Sequence, residues 1–287
     1  MYPTLSLLLA ATLWGIFWYP LRILEENGLS GLWATFFIYL GTLPILIILY
    51  YRYRLQFVKS SNLLILIALA SGWCNTAFIL AIIDGPIVRV MILFYLSPLW
   101  ATLFGVLILK EKFTAMSMAM LTVSLIGAIV MLWQEQVGFP IPSSANDWLA
   151  LSSGFAFAVT NVLTRKAEHA PVQLKVVFSW LGVILISGVL LMFDNSNLDN
   201  TSIGVIFSAT FTGVILIVIM TVSVMYGVSN MPVQRSAIIL LFEIIVAAVS
   251  ANLLTNEVVL MREWIGGILI LVAGYFSSKI CIDEKVK

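Results

Sequence analysis

The chain has 287 residues, of which 61% are hydrophobic and only 10% are charged. A soluble domain carries about 25% charged residues and could not bury so much apolar surface, so we expect an integral membrane protein. The net charge of +1, without a long basic run, argues against nucleic acid as a partner. The cysteines Cys74 and Cys281 are far apart and predict neither a disulfide framework nor a metal site. We therefore expect no cofactor.

Ten apolar segments follow along the chain, each near the length of about 20 residues that a helix needs to cross the hydrocarbon core. The first of them lacks a basic region ahead of it, so we expect a retained span rather than a cleaved signal peptide. The predicted spans are residues 4–22, 31–50, 62–83, 87–109, 114–133, 146–165, 172–193, 203–226, 233–255 and 264–282.

The second half of the chain repeats the first. Pro86-Ile87-Val88-Arg89 opens an apolar run that ends at Glu111, and Pro232-Val233-Gln234-Arg235 opens another that ends at Glu257 at the same spacing. Five crossings in each half place the halves in opposite orientations, an arrangement typical of secondary transporters with a site near the bilayer midplane. We therefore predict an all-α membrane fold of ten transmembrane helices. Two inverted five-helix repeats, residues 1–137 and 138–287, form one domain around a central cavity.

The distribution of Lys and Arg predicts the orientation, because cytoplasmic loops are enriched in them. If the N-terminus is cytoplasmic, Arg22, Arg89 and Arg262 lie outside, and the remaining basic residues lie inside. We expect a multi-pass protein of the cell (inner or plasma) membrane with both termini in the cytoplasm.

Glu243 is the one acidic residue predicted near a midplane, within Leu240-Leu241-Phe242-Glu243-Ile244. A carboxylate at that depth costs a few kcal/mol, so it should face a cavity or a partner. It would suit proton coupling or a cationic substrate. A protonated Glu that holds two helices together is the alternative.

Arg89 and Arg235 occupy equivalent places in the repeats, each in the first turn of its helix. The helix dipole does not favour a cation there. A substrate carboxylate, an ion pair at a gate or lipid phosphate would each explain them, as would snorkelling to the interface.

Aromatic and amide side chains complete the predicted substrate-binding set. Aromatic residues at helical spacing form either a box for a planar or cationic substrate or ordinary packing, and amides at membrane depth bind either a ligand or another helix. The candidates of this kind are Trp14, Trp18, Tyr19, Trp73, Tyr95, Trp100, Tyr226, Asn75 and Asn161.

Several short motifs, in their order along the chain, resemble those of the drug/metabolite transporter superfamily, and within it the EamA-type ten-helix transporters. The motifs are Leu13-Trp14-Gly15, Leu96-Ser97-Pro98, Leu109-Lys110-Glu111, Leu125-Ile126-Gly127, Glu257, Gly266-Gly267 and Gly274. The family's proline in the ninth span is missing, since Ile244 stands in that place. The resemblance implies a cavity lined by the first, third, fourth, sixth, eighth and ninth helices. It also implies transport of small metabolites, often export of amino acids or related compounds.

We therefore predict a secondary transporter, an exporter of a small amphipathic metabolite by alternating access, driven by a proton gradient or by the gradient of the substrate. A metabolite exchanger and a non-transporting receptor or assembly subunit are the alternatives. An intramembrane enzyme would need paired acid–base or metal-binding residues at one depth, and the sequence offers only Glu243. The expected partners are a small molecule, protons and membrane lipid, and the protein is a monomer or a homodimer.

Overall fold

The computed structural model of the protein describes residues 2–57, 61–84, 87–112, 114–133, 142–194, 198, 201–254 and 260–284. Within these ranges the regular elements are helices and no strand occurs, which confirms the all-α prediction. The elements are α1 (Tyr2–Glu26), α2 (Gly31–Leu40), α3 (Leu43–Phe57), α4 (Ser61–Asp84), α5 (Ile87–Phe94), α6 (Ser97–Leu109), α7 (Ala115–Leu132), α8 (Ala145–Lys166), α9 (Val172–Leu191), α10 (Ile203–Thr212), a π-helical turn (Gly213–Ile217), α11 (Val218–Ser229), α12 (Val233–Leu240), α13 (Phe242–Leu254) and α14 (Met261–Glu284).

Within the described residues, seven helical segments are long and apolar enough to cross a membrane, judged by length and composition. An eighth qualifies if α2 and α3, which meet at a bend of 45°, form one span. The helix α8 is not among them, because residues such as Ser152, Ser153 and Asn161 make it more polar. The count of ten spans therefore stays a prediction. The seven segments are residues 2–26, 62–82, 89–109, 115–132, 172–191, 203–229 and 233–254.

Large apolar side chains cover much of the outer surface. Leu107, Ile48 and Phe207 are 65%, 65% and 71% exposed, and many others resemble them. A soluble monomer rarely exposes a continuous apolar surface of this extent. The surface is what lipid tails would cover in a multi-pass membrane protein.

Two helical stretches are interrupted at equivalent positions of the sequence repeat. The first breaks at Tyr95 and Leu96, between α5 and α6, because Pro98 has no N–H to donate to the carbonyl of Phe94. The second breaks at Leu241, between α12 and α13, without a proline. There the Ile244 N–H donates to the Leu241 carbonyl at 3.1 Å, one residue closer than in a regular α-helix.

Helices from the two halves of the chain interlock. The helix α1 continues past Pro20 and packs against α11, α12 and α13, while α4 packs against α8 and α9, and α7 against α14. In the sequence repeat, α8 takes the place of α1, and α11 takes the place of α4. Swapping the two halves therefore turns the contact of α1 with α11 into the contact of α8 with α4, and both contacts occur. The packing therefore has the pattern that a two-fold relation between the halves requires.

Glycines allow the closest of these helix crossings. A Cβ atom on Gly182 of α9 would overlap the carbonyl oxygen of Ala68, and one on Gly72 of α4 would overlap the carbonyl oxygen of Gly182. In the same way, a Cβ atom on Gly41, after α2, would overlap the carbonyl oxygen of Thr210, and one on Gly213, in the π-helical turn, would overlap that of Ile38. An interval of 141 residues separates Gly41 from Gly182 and also Gly72 from Gly213. The same kind of close helix crossing therefore occurs twice. Each crossing brings together a glycine from the first half of the chain and a glycine from the second half.

Candidate functional site

A cavity of about 120 Å³ lies beside the two helix breaks. Among its described lining residues, Glu243 is the one charged group, and six aromatic rings form much of the wall. The six expected helices contribute to it, namely α1, α4, the stretch from α5 to α6, α8, α11 and the stretch from α12 to α13, and α2 and α9 contribute as well. The aromatic residues are Trp14, Tyr39, Phe78, Phe94, Tyr95 and Phe157.

Glu243 lies in the first turn of α13, directly after the break. The N-terminus of a helix carries partial positive charge, which favours a carboxylate at this position. Its backbone carbonyl packs against Gly15, which is near the middle of the 25-residue helix α1. Tyr95, at the other helix break, lines the same cavity as the Glu243 carboxylate. Both interruptions therefore contribute a polar side chain to one place in the cavity.

The two amides in the cavity wall have different surroundings. Asn75 accepts a hydrogen bond from Tyr39 Oη at 3.0 Å, and its Nδ2 donates to the carbonyl of Ser71 at 2.9 Å. Asn161 is 2% exposed, and its Nδ2 has no hydrogen-bond partner within the described part of the chain. A buried donor without an acceptor costs about 1–3 kcal/mol, so Asn161 gains more than Asn75 from a ligand that supplies an oxygen.

An ion pair lies at the N-terminal end of α8. Arg89 Nε is 2.8 Å from Asp147 Oδ1, and Arg89 Nη2 donates to Ser143 Oγ at 3.1 Å. The other carboxylate oxygen of Asp147 accepts the backbone N–H groups of Ser143 and Ser144, which completes a capping box. This arrangement joins the first turn of α5 to the first turn of α8.

A second polar cluster lies at the C-terminal end of α8. The Glu111 carboxylate accepts the backbone N–H of Val233, at the start of α12, at 3.0 Å. Arg165 Nε of α8 is 4.0 Å from Glu111, and Arg235 also acts on this carboxylate electrostatically. Burial raises the pKa of Glu111 above its ordinary value, although the Val233 N–H and the two arginines act to lower it.

Lys175 of α9 strengthens the same end. It is 1% exposed, and its Nζ donates to the Thr164 carbonyl at 2.8 Å and to Ser229 Oγ at 2.9 Å. These acceptors belong to the last turns of α8 and α11, where helix dipoles favour a cation. The cluster thus connects the ends of five helices, α6, α8, α9, α11 and α12.

The sequence model of the EamA-like transporter family matches residues 1–133 and, a second time, residues 145–279. The chain belongs to this family. The two matches confirm that an EamA repeat occurs twice in the chain, and an EamA-like chain is a membrane transporter of the drug/metabolite type.

The fold of this EamA-like chain also occurs among solved structures. One solved structure, described only as the crystal structure of a protein, superposes on this chain with a TM-score of 0.76. The two sequences are 16% identical, and the match covers 97% of this chain and 98% of the other. At this identity the likeness concerns the fold alone. No curated protein matches the sequence significantly.

Of the twelve residues predicted for substrate binding in this EamA-like chain, five line the cavity: Trp14, Asn75, Tyr95, Asn161 and Glu243. Arg89 and Arg235 are in the polar clusters at the two ends of α8. The other five lie outside the described lining.

Four of these five make side-chain contacts of their own. Trp18 Nε1 donates to Ser250 Oγ at 2.9 Å, the Tyr19 ring packs edge-on against Trp18, and Trp73 Nε1 donates to Ser152 Oγ at 3.2 Å. The ring of Trp100 packs against Phe104 and Phe155, and Tyr226 is 37% exposed. The structure does not bring these five together with Glu243.

Several lining residues of this EamA-like chain were not predicted. Ser71 and Cys74 share a face of α4 with Asn75, at the spacing of one helical turn, which is a signal that could have identified them. Tyr39 is 5% exposed in α2, and Ser179 is in α9, both in helices outside the expected six. The hydroxyls of Ser71 and Ser179 contact each other across α4 and α9.

Proposed function

We propose that this EamA-like protein is a secondary transporter that exports a small amphipathic metabolite, such as an amino acid or a related amine, by alternating access. The cavity carries this proposal, because its one charged group among the described lining residues is Glu243 at a helix break. Interrupted helices at a central site are typical of secondary transporters.

The chemistry of the cavity favours a substrate with an amino group. A carboxylate without a lining cation attracts a protonated amine, and the six aromatic faces suit both the ammonium and an apolar body. The Asn161 amide would bind an oxygen of the same substrate. We further propose that Glu243 binds either a proton or the amino group, which would couple export to the proton gradient.

We propose that the transporter has ten spans in two inverted repeats, residues 1–137 and 138–287, in the cell membrane, with both termini cytoplasmic. The repeated glycine crossing and the equivalent helix breaks support this arrangement. Arg89 contacts Asp147 near one end of α8, and Arg235 lies by Glu111, close to Arg165 at the other end. The 18 residues between Asp147 and Arg165 rise about 27 Å, nearly the thickness of the hydrocarbon core.

A ligand screen tests the substrate class. We expect amino acids, their amides and other small amines to raise the apparent melting temperature of the purified protein, because a ligand of the folded state stabilises it by mass action. Deaminated analogues of the same compounds should have no effect. Each hit is then measured as export from proteoliposomes with and without a proton gradient. Stabilisation by the deaminated analogues alone would contradict the role of Glu243 as the amine site.

Cysteine labelling tests the inverted arrangement. Ser143 and Asn230 are exposed and lie near Arg89 and near the start of α12, respectively. We expect Ser143→Cys to react with an impermeant maleimide from the outside and Asn230→Cys only from the cytoplasmic side, in a background in which Cys74 and Cys281 are serine. The unsubstituted background is the control. Labelling of both positions from one side would exclude the inverted repeat.

A further inference from the structure

The turn that follows α6 places the Glu111 carboxylate next to the start of α12. Lys110 adopts a left-handed backbone with φ of 56°, and Glu111 N–H donates back to the Gly105 carbonyl at 3.1 Å. The Lys110 N–H donates to the same carbonyl, and the left-handed residue that follows a helix is usually glycine. A lysine in the left-handed conformation costs about 1 kcal/mol. The turn that directs Glu111 toward α12 is therefore kept despite this cost.

Gly105 makes room for the carboxylate that this turn directs. A Cβ atom at Gly105 would lie 3.2 Å from Glu111 Oε2, closer than a side chain comfortably allows. The carboxylate lies instead between the end of α6 and the start of α12. Because glycine at position 105 leaves space for the Glu111 carboxylate, this carboxylate packs between two helices rather than serving only as a surface charge.

The helix α12 depends on this carboxylate for its cap. Its N-cap residue is Pro232, whose side chain makes no capping hydrogen bond. The Val233 N–H donates instead to both oxygens of Glu111, at 3.0 and 3.2 Å. Gln234 Nε2 adds a bond to the Lys112 carbonyl at 3.1 Å. A carboxylate from the first half of the chain thus caps a helix of the second half.

The capped end of α12 is buried. All eight residues of α12 are buried, including Gln234 and Arg235 at 5% and 4% exposure. Ala237 and Leu240 of the same helix line the cavity. A path that follows α12 from the cavity to this end would separate the start of α12 from the end of α6.

We infer that Glu111 is the latch of this end of the transporter, and that its bond to the Val233 backbone must break each time the end opens. The inference rests on alternating access, which belongs to the proposed function. Arg165 and Arg235 hold the carboxylate in place, and Lys175 anchors the ends of α8 and α11 beside it. Glu111 is a positioning residue, since it does not line the cavity.

The test measures opening without a substrate. Ser236 is 0% exposed in α12 and does not line the cavity, so Ser236→Cys reports exposure of this end to a water-soluble maleimide in detergent. The background again has serine at Cys74 and Cys281. We expect Glu111→Ala to raise the labelling rate about tenfold or more, because a charge-assisted hydrogen bond is lost. Glu111→Gln keeps an oxygen for the Val233 N–H and should give an intermediate rate.

Glu168→Ala is the matched control, since it removes an exposed carboxylate near the same end of α8. Its labelling rate should equal that of the parent. Parent-like rates in both Glu111 variants, or equal acceleration in Glu168→Ala, would overturn the latch. Because the readout needs no substrate, failure of the latch leaves the transport proposal standing. Absence of flux in the parent would instead count against the proposed function, and the labelling rates would then report only how the α6–α12 contact holds this end together.

Discussion

Replacement of Glu243 by Gln should reduce coupled export about 10- to 100-fold while folded protein remains in the membrane. The substitution removes the one charge among the described cavity residues but preserves the shape of the side chain and an oxygen acceptor. Charge-assisted hydrogen bonds contribute about 1.5–3 kcal/mol, which corresponds to that loss of affinity for an amine. The measurement is initial flux from proteoliposomes, with and without a proton gradient.

The matched control is Glu168→Gln, a neutral substitution of an exposed carboxylate outside the cavity. Its flux and pH dependence should equal those of the parent. An exchanger would show the same loss of binding in Glu243→Gln, but the parent would need substrate on both sides and would ignore the proton gradient. Normal flux with normal pH dependence in Glu243→Gln would remove Glu243 from the mechanism.

The position of Glu243 could be predicted because an isolated carboxylate in an apolar segment has few acceptable surroundings. Aromatic residues gave no such constraint. Trp14 and Trp18 are one turn apart in α1, yet Trp14 lines the cavity while Trp18 bonds to Ser250 in α13. Helical spacing shows which residues share a face, but the neighbours of that face depend on packing between distant parts of the chain.

The helix breaks show the same limit. Pro98 marks the interruption between α5 and α6, since it removes a backbone donor. The break at Leu241 has no proline, so no local signal predicts it. The partners of the repeated arginines are also distant in sequence. Arg89 meets Asp147, and Arg235 lies by Glu111, whereas Glu257, the repeat counterpart of Glu111, lies outside the described residues.

Replacement of Gly182 by Ala should destabilise the protein by about 1–3 kcal/mol or more, as overpacking does. The new Cβ would overlap the Ala68 carbonyl oxygen, and a backbone atom cannot rotate aside as a flexible side chain can. The helices α4 and α9 must then separate, which also disturbs Ser71 and Ser179 in the cavity wall. Gly213→Ala should have a similar effect through the Ile38 carbonyl. The measurement is the apparent melting temperature of each variant in detergent.

Gly274→Ala provides the control for this pair, because nothing lies within 4 Å of the Cβ that it adds to α14. Alanine is favoured over glycine within a helix by about 1 kcal/mol, so this variant should melt at or slightly above the parent temperature. Gly182→Ala and Gly213→Ala should therefore lower the melting temperature by similar amounts, whereas Gly274→Ala should leave it unchanged or raise it slightly. If Gly182→Ala melts like Gly274→Ala, the close crossing of α4 and α9 is not a feature of the folded protein. If Gly182→Ala and Gly213→Ala differ widely, the two halves do not share the crossing that a two-fold relation between them would require.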